Sequence, residues 1–172
     1  LLVRIPSWWN EQKTEEQIIK IHATKLALDD VIGKNLPPDP GAEADKTIEG
    51  IDANENGIRD DVELAIFKEY PNSAKTRMPL LQYALALQLQ MTMPLVNTDT
   101  VTATVEDTEN NANICLWTLS VRPDISTIRP EDDDNPNSPL KKFSREQDFY
   151  EKFVEDRQLN TKQRKDYLEA FI

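Results

Sequence analysis

The chain has 172 residues, with 20 Lys and Arg against 31 Asp and Glu, and a formal net charge of −11 at pH 7. That balance makes nucleic acid and anionic membrane surfaces poor partners, so neither is expected, and favours cations instead. The length allows one domain with a sizeable core. No apolar run reaches the ~18 residues of a membrane span, and a single cysteine, Cys115, leaves no internal disulfide or cysteine-rich zinc site.

The chain opens on Leu1 with no signal-type segment, so a trimmed or mature fragment is expected, any leader or lipid anchor lying outside it. Residues 1–12 form an apolar cluster in which Trp8 and Trp9 are adjacent. The pair is either a ligand-stacking platform or, as expected here, part of a segment pinned into the core. Thr14 is expected to cap a helix with Glu15 and Glu16 in its first turn. Ile18, Ile21, Lys25 and Leu28 would form its inner stripe, and Gly33 its C′ residue ahead of Pro37. His22, the only histidine, is expected to be a packed or half-exposed residue rather than a catalyst.

The stretch Asp52 to Glu63 reads DANENGIRDDVE and fits D-x-[DN]-x-[DN]-G-x5-E at every specified position. Calcium takes six to eight oxygens, and this spacing supplies them from one sharp bend. Asp52, Asn54 and Asn56 alternate so that three side-chain oxygens converge, and Gly57 allows the turn. The Ile58 carbonyl adds a main-chain oxygen, Asp60 binds directly or through water, and Glu63 closes the shell with both oxygens. The competing reading is an ordinary Asx-rich turn. Such a turn has no use for Glu63 six residues past the glycine.

These residues resemble the EF-hand loop, with three departures. The eighth position, where paired hands carry an aliphatic residue that meets a sister loop, is Arg59. The lead Leu-Pro-Pro-Asp-Pro-Gly leaves only residues 42–51 for an entering helix, which Gly50 weakens. No second loop follows: Ala112 stands where the stretch from Asp107 needs glycine, and Pro136 interrupts the stretch from Asp133. The site is therefore similar to the solitary, helix-poor loops of secreted or periplasmic bacterial proteins of unknown function, dockerins and thrombospondin-type repeats, and not to a paired sensor. That resemblance implies calcium and an extracytoplasmic setting but supplies no activity.

Beyond the loop, a helix is expected to Tyr70, broken by Pro71-Asn72-Ser73. The next starts at Ser73 or Thr76, carries Pro79 in its first turn or as a kink, and runs through Leu80, Leu81, Ala84, Leu85, Leu87, Leu89 and Met91 as the core until Pro94. A helix over about 98–119 aligns Val101, Val105, Thr108, Ala112, Cys115 and Leu119 in one buried stripe, with Cys115 an inert thiol. Residues 121–143 read as a long Pro- and Asp-rich connection whose acidic run 131–134 is solvated or, alternatively, a weak second cation site. Ser144 and Gln147 read as a capping box for a helix with Phe149, Phe153 and Val154 inward. Asn160-Thr161 starts the last helix, with Tyr167, Leu168 and Phe171 inward.

The expectation is an all-α domain of five or six helices in an irregular bundle with one EF-hand-like calcium loop. Three carboxylates among the ligands imply an affinity of about 10⁻⁵–10⁻⁴ M, suited to millimolar calcium outside the cytosol. The role expected is a calcium-braced binding or scaffold protein whose partner is a protein or glycan. The alternative is a carboxylate-based hydrolase with structural calcium, and a third is a calcium switch. No HExxH, phosphate loop or GxGxxG occurs, and one histidine leaves little for general base work.

Overall fold

The computed structural model describes residues 7–92, 98–120, 122–124, 126, 129 and 135–171, and only the backbone of 7–13, 98–106, 170 and 171. The architecture is all-α. In chain order it comprises α1 (Ser7–Ala23), α2 (Leu28–Ile32), a 3₁₀ turn (Gly41–Asp45), α3 (Asp60–Glu69), α4 (Ala74–Thr92), α5 (Thr98–Trp117), α6 (Pro139–Gln158) and α7 (Lys162–Phe171).

The centre is α4, which packs against α2, α3, α5, α6 and α7. Every residue from Tyr83 to Met91 is buried, as expected of a helix apolar around most of its circumference. Ser73 caps it, its Oγ accepting from the Thr76 N–H over 3.2 Å. Pro79 lies inside the helix, beyond the first turn. Leu80, Leu81, Ala84 and Leu85 meet Val62 and Ile66 of α3, Ala112 and Leu116 of α5, and Val154 of α6 in one core, all fully buried.

Several expectations need correction. The first helix begins at Ser7, so Thr14 is a buried interior residue and no cap. It ends at Ala23, and the Thr24 hydroxyl donates back to the Lys20 carbonyl over 2.8 Å. The chain then restarts as α2, leaving Lys25 and Leu28 exposed instead of on an inner stripe. Splitting that helix raises the number of α-helices to seven among the described residues. Gly33 does end α2 in the left-handed conformation, φ 81°. Among the described side chains of α5 the buried apolar residues are Ala112 and Leu116, with Cys115 only half-buried beside them.

The α6 helix opens earlier than expected, at Ser138-Pro139. Ser138 Oγ accepts from the Lys141 N–H and Pro139 takes the first helical position. Ser144 and Gln147 are therefore interior. Phe153 and Val154 face inward, but Phe149 is 58% exposed, stacked edge-on against Tyr150. Residues 1–5, Pro94, the acids 131–134, and the side chains of Trp8, Trp9, Val101, Val105 and Phe171 lie outside the description.

Candidate functional site: the 52–63 loop

The loop leaves no α-helix at its entrance. Residues 42–51, expected to hold a short entering helix, form only the 3₁₀ turn Gly41–Asp45 and bends. The exit is α3, whose first turn carries Asp60, Asp61 and Glu63, where the helix dipole favours anions. Ile58 and Val62 on either side are fully buried, so the core holds the loop's second half in place.

Between these ends the side chains fold inward. Asp52 accepts from the main-chain N–H groups of Asn56 (3.1 Å) and Gly57 (2.8 Å). Asn56 Oδ1 accepts from the Ile58 N–H over 2.8 Å. The Nδ2 groups of Asn54 and Asn56 both donate to Glu63 Oε2, each at 3.1 Å. Asn54 also donates to the Asn35 carbonyl over 2.8 Å, tying the loop to the segment after α2. Gly57 has φ 86°, and a Cβ there would stand 2.7 Å from Leu85 and Thr24, so only glycine fits the bend.

Four of the expected ligands, Asp52, Asn54, Asn56 and Glu63, are thus brought into one hydrogen-bonded set. Ile58 supplies a core side chain. Asp60 turns elsewhere: both its oxygens accept from the Ala53 N–H, at 3.0 and 3.2 Å, while its own N–H donates to the Ile51 carbonyl over 2.8 Å. Among the described residues, no group of three or more His, Cys, Asp or Glu side chains is disposed to hold a metal ion. Any cation here would draw much of its shell from amide and main-chain oxygens.

The electrostatics of the loop are lopsided. Glu63 is fully buried; its Oε1 has no hydrogen-bond partner. Burial pushes its carboxyl up to about 7, only partly opposed by the Asn54 and Asn56 amides, while Asp30 and Asp60 push the same way. Burial also raises Asp52, against the pull of the Gly57 and Asn56 N–H groups, and raises Asp60, against that of Ala53. No Lys or Arg side chain bonds to any of the three among the described residues. Asp61 and Asp45 nearby, by contrast, take Arg59 and Arg164.

Two features went unread in the sequence. Arg59 is fully buried; its guanidinium grips Asp61 (2.5 and 2.9 Å) and donates to the carbonyls of Gln158 (3.1 Å) and Arg157 (2.6 Å) at the end of α6. Its place at the eighth loop position was the available signal. Gly50, read only as a helix breaker, has φ 70°, and a Cβ there would sit 2.2 Å from Arg59 Cδ.

His22, expected to be packed or half-exposed, is exposed at the end of α1, and Cys115 is a free, half-buried thiol. A cleft of about 290 Å³ adjoins the loop, bordered by Lys20, Glu49, Asp52, Glu55, Gln88 and Thr92. No helix among the described residues is long and apolar enough to cross a membrane. Comparison with protein-family models, curated proteins and solved structures finds no match to this chain.

Proposed function

We propose that the 52–63 loop binds a calcium ion through Asp52, Asn54, Asn56, the Ile58 carbonyl, Glu63 and, directly or through a water, Asp60, and that the ion braces an extracytoplasmic binding or scaffold protein. The observation that carries this reading is Glu63: a fully buried carboxylate with one oxygen unpartnered, in a loop where no Lys or Arg side chain among the described residues bonds to Asp52, Asp60 or Glu63. An unpaired buried charge is costly. A hard divalent ion coordinated by oxygens removes that cost, and the calcium-loop spacing from Asp52 to Glu63 supports such an ion. In the described arrangement Asn54 and Asn56 present Nδ2 to Glu63. To offer Oδ1 to an ion there, Asn54 gives up its bond to the Asn35 carbonyl and Asn56 its bond from the Ile58 N–H.

Three carboxylates give modest affinity, which suits a compartment rich in calcium. At free calcium about 100-fold above Kd, binding to the native state alone would stabilise the fold by ~2.7 kcal/mol. The test is calorimetric titration with calcium, together with thermal melting in millimolar calcium and in EDTA. Saturable 1:1 binding and a raised midpoint, both abolished in Glu63→Gln, are expected. An unchanged midpoint and no binding heat for the native chain would remove the proposal.

A further inference from the structure

Both flanks of the loop are fastened to the same corner of the molecule, residues 157–164, where α6 gives way to α7. From the exit side, Arg59 donates to the carbonyls of Arg157 and Gln158. The last carbonyls of a helix have no intrahelical donor, and a cation there also meets the negative end of the dipole. From the entry side the direction reverses. Arg164 on α7, fully buried, donates to the carbonyls of Ile48 (3.0 Å), Thr47 (3.0 Å) and Ala44, and to Asp45 Oδ1 (2.7 Å). Asn160 adds a bond from its Nδ2 to Asp45 Oδ1 over 2.9 Å. Gln158 and Gln88 form a third strut, Gln158 Nε2 to Gln88 Oε1 and Gln88 Nε2 to the Glu49 carbonyl over 2.7 Å.

Arg59, inside the loop, thus holds main-chain carbonyls of the corner, and Arg164, at the corner, holds main-chain carbonyls on the loop's entry side. Charge-assisted bonds made away from water are the strong class of hydrogen bond, and a planar five-donor fork has little freedom once its partners are set. A displacement of either flank must therefore pull on the α6–α7 corner.

We propose that this corner is the built-in counterpart of the solitary loop, with Arg59 and Arg164 as positioning residues, so that calcium binding at 52–63 and docking of α7 stabilise each other. The proposal rests on the calcium reading above. Coupling of this kind is reciprocal: whatever affinity the docked corner adds for the ion, the ion returns as tighter docking of the corner.

The test uses the full chain. Amide hydrogen exchange of residues 162–169 is followed with and without millimolar calcium, and calcium affinity is measured by calorimetry for the native chain, Arg164→Met and Asn160→Ala. Exchange in α7 of the native chain is expected to slow about tenfold with calcium. Arg164→Met is expected to bind about tenfold more weakly and Asn160→Ala a few-fold more weakly, with α4 remaining protected in both. Native-chain binding with no change in α7 exchange would overturn the coupling while leaving the calcium reading intact. A native chain that binds no calcium would remove both. Should Arg164→Met fail to fold, the native-chain exchange and the milder Asn160→Ala variant still decide the matter.

Discussion

Tyr83 on α4 donates its hydroxyl hydrogen to Glu155 Oε1 on α6 over 2.9 Å, from a position only 2% exposed. Burial raises the phenol's pKa, and the neighbouring carboxylate raises it further, so the hydroxyl stays protonated and can only donate to that charge. Tyr83→Phe keeps the ring in the core and removes the donor. The expected loss is about 1–3 kcal/mol, since the bond is to a charged acceptor. Urea unfolding monitored by circular dichroism checks it, and a loss below a few tenths would show that water replaces the bond.

The loop acids set a pH dependence whose sign follows from Glu63. Its folded pKa, about 7, lies above the ordinary value of 4.5. The folded state therefore holds the proton more tightly than the unfolded chain does. That contribution is fully present below pH 4.5 and is lost as pH rises through 7. Asp52 and Asp60, also raised, act in the same direction. In EDTA the protein is expected to be more stable at pH 5 than at pH 8, with about 3 kcal/mol at stake for Glu63. Melting midpoints across pH 4.5–8 read this, and Glu63→Gln should flatten the profile. A midpoint that climbs steadily with pH would contradict it.

Arg77 is the third buried guanidinium. It donates to the carbonyls of Val31 (3.1 Å), Tyr70 (2.8 Å) and Pro71 (2.7 Å) and stacks over Phe67 at 4.5 Å. Arg77→Met leaves three carbonyls without their donor and is expected to cost about 2–4 kcal/mol. Arg77→Lys should recover less than half, because one ammonium cannot span α2 and the α3–α4 turn together. Chemical denaturation of the three proteins gives the comparison.

Two glycines with positive φ separate conformational strain from collision. At Gly50, φ 70°, an added methyl meets Arg59 at 2.2 Å and the Ala44 carbonyl at 3.1 Å; at Gly41, φ 55°, it meets nothing within 4 Å. Gly41→Ala is expected to cost about 1–2 kcal/mol from the backbone alone. Gly50→Ala should cost roughly 2–4 kcal/mol, because the Arg59 clamp must also shift. Equal losses would mean that Arg59 moves aside freely.

What the sequence determined by itself was local. Apolar spacing at helical period marked α4 as the core, Pro71 and Ser73 punctuated α3 from α4, and five residues at fixed offsets, Asp52, Asn54, Asn56, Gly57 and Glu63, marked a loop whose side chains fold inward. Even the misplaced start of α6 was present as Ser138-Pro139, a cap followed by the residue best suited to a first helical position. What only the tertiary structure decided were contacts between segments about a hundred residues apart. Arg59 stood out along the chain only as a departure at the eighth loop position and Arg164 not at all, yet both are fully buried. Their partners are main-chain carbonyls, which every residue carries and no sequence pattern distinguishes. Likewise, the exposure of Phe149 depends on which neighbours the fold brings alongside, a property of packing that periodicity along the chain does not contain.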